Sequence, residues 1–164
     1  MENLPFSEPH LEVVTPVLLS ELVKVSFGKR IQALLRTPEP TEENNIPVLG
    51  AGVKTLGYIS QSTHQKLYHV LEPEDVLIVS RVGHPGRTRY FQSLHSIAPT
   101  DDTFILQVIE PEKLYIKYLY YKLLSMEEEF MRIAGGSVLR HIHITDIRNI
   151  VLGYEKIASL YIKT

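Results

Sequence analysis

Residues 75–93, DVLIVSRVGHPGRTRYFQS, limit the fold of this chain more than any other stretch. In VLIVSRV (Val76 to Val82) both parities are apolar until Ser80, so a strand there has no wet face and must be covered on both sides. A turn from Gly83 to Gly86, stiffened by Pro85, follows it. Beyond the turn the pattern alternates, with Arg87, Arg89 and Phe91 on one face and Thr88, Tyr90 and Gln92 on the other. A buried strand therefore ends in a short rigid tip that carries Arg81, His84, Arg87 and Arg89.

Such a tip matters because the chain as a whole is slightly anionic. Its 164 residues hold 17 Lys and Arg against 19 Asp and Glu, a formal charge of −2. An indiscriminate polyanion binder usually shows a strong basic excess, so the distribution of charge decides more than its sum. The length suits one domain, residues 1–164, with a proper core. The absence of cysteine excludes disulfides, thiolate metal sites and cysteine nucleophiles, and fits a reducing compartment. The start MENLPFSEPH has no leader pattern, and no apolar run approaches the ~20 residues of a membrane helix. A soluble cytoplasmic protein with no membrane partner is the expectation.

Elsewhere the pattern is one of short strands around one good helix. Leu11 to Val14 is an apolar run, Ser20 is placed to cap a brief helix from Glu21 towards Val25, and Gly28 turns the chain before Lys29 and Arg30. Residues 36–45 form a polar loop in which proline forbids a helix interior, as it does again at Pro47. Gly50, Gly52 and Gly57 sit among short β-type pieces, and residues 103–110 read as a further strand. Ile116, Leu119, Leu123, Met126, Phe130 and Ile133 follow a 3-4 spacing, which predicts one helix from about Glu112 to Ile133. VLRHIHI then reads as a strand, Thr145 as the cap of a single turn, and NIVLGY as a last strand. The class expected is mixed α/β, with an irregular, mostly antiparallel sheet and one long helix.

Catalytic and cofactor motifs find little support. His141 and His143 share one side of the expected strand, a spacing seen in some metal sites, but no motif joins them to His64, His69, His84 or His95. The GAGVKTLG segment, residues 50–57, lacks the Gly-Lys-Thr register of a phosphate loop and no long helix follows it. No Gly-x-Ser-x-Gly elbow occurs, and the acidic pairs, DD at residues 101–102 among them, lie in loop or helix-surface contexts. No catalytic group, metal or cofactor is therefore expected. Tyr115, Tyr118, Tyr120 and Tyr121 suit the rim of a packed helix better than a base-stacking platform. The cationic tip remains, with Lys29, Arg30, Lys54 and Arg140 also beside glycines or at strand ends. Guanidinium forks on a rigid turn lose little entropy on engaging phosphate or a guanine edge. Scattered solubilising charge explains the same residues equally well by pattern alone.

The order of motifs adds a resemblance. LSELVKVSFGKRIQ followed by NIPVLGAGVKTLGYIS resembles the opening of a target recognition domain in the specificity subunit of type I restriction–modification enzymes. LEPEDVLIVSRVGHPGRTRYF, YIKYLYYKLL and GGSVLRHIHITDIRNIVL resemble the elements that follow there, with Glu74 in place of the usual glycine before Asp75. The resemblance runs from about Leu19 to Leu152, leaving residues 153–164 as a short tail. It implies a domain that reads duplex DNA for a methyltransferase and performs no chemistry itself. On that resemblance the DNA-facing positions are Lys29, Arg30, Lys54, Thr55, Arg81, His84, Arg87, Arg89, Arg140 and His143. The family's long spacer helix has no counterpart, since GYEKIASLYIKT stands where its lead-in belongs. A DNA methyltransferase subunit is thus one implied partner, and a homodimer reading two half-sites is another arrangement. The rival reading is a protein-interaction or structural module that keeps the fold without DNA, and a small hydrolase or metal-dependent nuclease ranks third.

Overall fold

The computed structural model describes residues 15–60, 70–92, 94–136 and 139–154. The run Leu11 to Val14, the histidines His64 and His69, and the tail beyond residue 154 lie outside the described residues.

The apolar stretch at 76–82 becomes strand β5, Val76–Ser80, and every residue in it is buried. It occupies the interior of a four-stranded antiparallel sheet in the order β2-β8-β5-β6. Its companions are β2 (Val23–Phe27), β6 (Thr88–Phe91) and β8 (Thr103–Val108). The alternation beyond the turn is realised as read: Tyr90 pairs with Leu77, and Arg89 with Ile78.

Both faces of this sheet are covered, as a strand without a wet face requires. On one face Leu77, Val79, Phe104 and Leu106 meet helical residues Ile116, Leu119, Leu123 and Phe130. On the other, Val76, Ile78 and Ile105 meet Leu49, Leu71 and Ile97. Leu49 belongs to a second sheet, ordered β4-β3-β7, made of β3 (Asn44–Leu49), β4 (Thr55–Ser60) and β7 (Ala98–Pro99). Here β3 and β4 are antiparallel, while β3 and β7 run parallel. A two-stranded antiparallel ribbon joins β1 (Thr15–Leu18) to β9 (Val151–Tyr154), close to the ends of the described chain. The class is mixed α/β and mostly antiparallel, as expected.

Several local readings need correction. Ser20 is not a cap: helix α1 is Leu19–Leu22, the chain turns extended at Val23, and the Glu21 carboxylate accepts from the Leu18 amide at 3.2 Å. The expected long helix is two, α2 (Ile116–Ser125) and α3 (Glu127–Ile133), and it starts later than Glu112. Tyr115 is extended, so the turn after Pro111 stops before α2 begins, and Met126 at φ −104°, ψ 9° breaks the ladder between the two. The apolar stripe still works, since Ile116, Leu119, Leu123 and Phe130 are all buried. Of VLRHIHI, the described residues 139–144 do not form a strand. His141 makes isolated bridges to Val82 and Gly135, and helix α4 (Ile144–Arg148) follows at once. His143, not Thr145, precedes that helix, and its amide donates to the Asp146 carboxylate at 3.1 Å.

Candidate nucleic-acid interface

The register of the four-stranded sheet gathers the tip residues at one end. Ser80 lies opposite Thr103, Phe27 opposite Phe104, and Val79 opposite Thr88. The turns that leave β2 and β5, and those that enter β6 and β8, therefore share that end. Gly28 makes the closest approach there: a Cβ on it would lie 2.2 Å from the carbonyl oxygens of Pro99 and Thr100. The Lys29 amide donates to Pro99 O at 3.1 Å, and the Arg81 amide to Asp102 O at 2.9 Å. Lys29, Arg30 and Arg81 are thus brought around the Pro99–Asp102 turn, although far apart in sequence.

The glycine-rich turn between β3 and β4 joins the same end. Ser80 Oγ donates to Ala51 O at 2.7 Å, and the Arg89 guanidinium donates to Gly50 O. Lys54 and Thr55, both exposed, are carried by that turn. Two contacts complete the set on the other side. Val82 bridges His141, and the Ile142 amide donates to Arg81 O at 3.0 Å, which sets Arg140 and His143 beside the tip.

The individual side chains differ in what they are free to do. Arg81 lies over the Phe27 ring, 5.4 Å from its centroid, and donates one N–H to Asp101 O at 2.9 Å. That leaves a fixed guanidinium with most of its donors unused. Arg89 is turned inward along Phe91, and burial first, then repulsion from Arg87, lowers its pKa from the ordinary arginine value. His84 pairs with Glu127 at the start of α3. The neighbouring Gly86, at φ +88°, would place a Cβ 2.2 Å from Phe130 Cβ, so the tip turn is seated on α3 by a contact only glycine allows. Arg140 reaches Met131 O at 3.3 Å, and the His143 and His141 Nε2 atoms stand 3.2 Å apart. Among the described residues, no set of three or more His, Cys, Asp or Glu is arranged to hold a metal ion.

Ion pairing separates this end from a self-neutralised surface. Among the described residues the salt bridges are His84–Glu127 and Lys113–Glu110. Lys29, Arg30, Lys54, Arg81, Arg87 and Arg140 therefore have no carboxylate within ion-pair reach there. An unneutralised group of cations on rigid turns is what a polyanion backbone requires.

Reading the sequence alone missed a cleft beside these residues. It is lined by Arg30, Gln32 and Arg36 on one strip and by Thr100, Asp101 and Asp102 on another. The acidic pair is visible in the sequence, where its pattern is that of ordinary loop charge. Only the close approach at Gly28 shows what it faces, and that is a tertiary fact.

No family model matches the chain, and no curated protein matches it. Solved structures do match. The S subunit of a type I restriction-modification system from M. genitalium superposes with a TM-score of 0.69 at 20% identity, over 88% of this chain and 35% of that one. The HsdS subunit from Thermoanaerobacter tengcongensis gives 0.61 at 18% identity, over 90% and 34%. A third chain, from work on complex assembly and conformational transition of the type I R-M system, gives 0.62 at 19%, over 90% and 36%. The protein shares its fold with part of an S subunit, and it spans about a third of the length of the solved chains it matches. Among the described residues, no helix is long and apolar enough to cross a membrane.

Proposed function

We propose that this protein is a non-catalytic, sequence-selective module for double-stranded DNA, of the kind that supplies specificity in restriction–modification systems. The observation that carries the reading is the convergence of Lys29, Arg30, Lys54, Arg81 and Arg87 on one end of the sheet, without carboxylate partners among the described residues. The fold likeness to S subunits supports it independently. Lys29 and Lys54, both exposed, are suited to phosphates. Arg81, held over Phe27, is suited to a fixed contact with a phosphate or a guanine edge. Arg89 belongs to the support of the site, because its guanidinium fastens the Gly50–Lys54 turn. A DNA methyltransferase subunit and a second copy of this chain are the protein partners the reading adds.

Titration of duplex DNA against salt tests it. Log affinity should fall linearly with log salt, by about 0.9 for each phosphate contacted. The double variant Lys29→Glu, Lys54→Glu should weaken binding at every salt concentration with its melting temperature unchanged. Indifference of the wild type to duplex at low salt would overturn the reading and leave a protein-interaction module as the alternative.

A further inference from the structure

The cleft beside the tip has a composition that phosphate binding does not explain. It is open, of about 570 Å³, with Arg30, Gln32 and Arg36 facing Asp101 and Asp102. Opposite charges line it, yet among the described residues no pair within it closes to ion-pair distance. Arg36 donates to Leu56 O at 3.2 Å instead, and Arg81 takes the main-chain oxygen of Asp101 rather than its carboxylate. Thr100 also lines the cleft; it is 4% exposed, and its Oγ1 has no hydrogen-bond partner. A buried hydroxyl left unpaired is costly. Leu34, 94% exposed, stands on the same lining.

Two carboxylates beside phosphate-binding cations repel a nucleic-acid backbone, so phosphate is not what they meet. Base edges are different. In the major groove cytosine and adenine present amino donors that aspartate accepts, guanine presents two acceptors that match an arginine fork, and adenine matches glutamine. Thymine adds a methyl group that suits an exposed apolar side chain. The cleft offers acceptors, donors and an apolar group side by side, a mixture that fits base-pair edges and fits phosphate poorly.

We propose that this cleft reads the major-groove edges of the target, with Asp101 or Asp102 accepting from a cytosine or adenine amino group and Arg30 or Gln32 engaging the adjoining base. The proposal rests on the DNA-binding reading above. It adds base selectivity from the cleft residues to whatever contacts Arg81 and the rest of the tip make.

Selection of bound duplexes from a random pool tests it, run on the wild type, Asp101→Asn, Asp102→Asn and the control Lys29→Gln. At least one aspartate variant should lose preference at a single base position by about 5- to 150-fold, the range a good base contact provides. Its affinity for random duplex at low salt should hold or rise, because a repulsive charge has gone. Lys29→Gln should weaken all sequences alike and leave the selected motif unchanged. A wild type that selects a motif which both aspartate variants retain would overturn this inference alone. A wild type that binds duplex without preference would overturn it together with the sequence selectivity of the proposed function, and leave only general duplex binding. A wild type that retains no duplex at low salt would overturn the DNA reading and this inference together.

Discussion

Arg81, Arg87 and Arg89 lie within one strand–turn–strand unit, yet their surroundings assign them different work. Arg81 is braced by Phe27 and Asp101 O, with donors to spare. Arg89 points along Phe91 into the space between the two sheets and donates to Gly50 O, while its Nε has no partner. Its charge persists despite the lowered pKa, since guanidinium does not deprotonate in proteins. The alternation Arg87-Thr88-Arg89 was legible in the sequence, but the alternation could not say which arginine faces solvent. That depended on a second sheet reaching over β6, and no residue near Arg89 announces it. Arg89→Met should therefore act on the fold: loss of a charge-assisted hydrogen bond costs about 1.5–3 kcal/mol. Urea unfolding is expected to give an unfolding free energy lower by that amount, with a lower midpoint, whereas Lys54→Met, on the exposed turn, should leave the free energy within about 0.5 kcal/mol. An unchanged midpoint for Arg89→Met would return that arginine to the set available for DNA.

At the scale of elements, strand β5 and its turn were the most legible because their constraint is local. An apolar run on both parities has few alternatives, and glycines at positive φ mark where the chain must reverse. The helical segment was legible only as a stripe. The 3-4 spacing continues across Met126, so periodicity has no means of reporting the break there. Beyond the break, α3 is fastened to the tip: Glu127 meets His84, and Phe130 lies against Gly86. Phe130 is fully buried, which makes it the joint between helix and tip. Phe130→Ala should cost about 3–5 kcal/mol. Hydrogen exchange should then accelerate locally at the amides of Ser80 and Gly86, which bond to Arg87 O and Ser80 O across the turn. Uniform acceleration over all three sheets, with no excess at the tip, would mean that Phe130 supports the core in general and not this turn.

The whole molecule resolves the tension between a net charge of −2 and a cationic tip. The register that places Ser80, Thr88 and Thr103 at one end of the central sheet places Val23, Val76, Phe91 and Val108 at the other. Around that second end lie Glu21, Glu74, Asp75, Glu110 and Glu112, and Asp75 accepts from Tyr90 Oη at 2.9 Å. Burial and that hydrogen bond push the Tyr90 hydroxyl up to about 12, so it stays a neutral donor beside the acidic group. Among the described residues, carboxylates gather around that second end, where Lys113 pairs with Glu110, an arrangement total composition could not reveal because it carries no positions. Distance then decides whether the acidic end weakens binding at the cationic one. Strand β8 runs Thr103–Val108, and at about 3.4 Å per residue the two ends stand roughly 17 Å apart. That is about twice the screening length of ~8 Å at physiological ionic strength. Glu110→Gln with Glu112→Gln should therefore change duplex affinity by less than about twofold at 0.15 M salt, and by more at 0.01 M, where the screening length reaches ~30 Å. Charge removal at Lys29 should instead lower the log–log salt slope by about 0.9 if it contacts one phosphate, since that slope counts contacts and not distant fields. Fluorescence anisotropy across the two salt regimes measures both. Equal effects from the two ends at 0.15 M would mean that net charge, rather than the arrangement of the tip, governs binding.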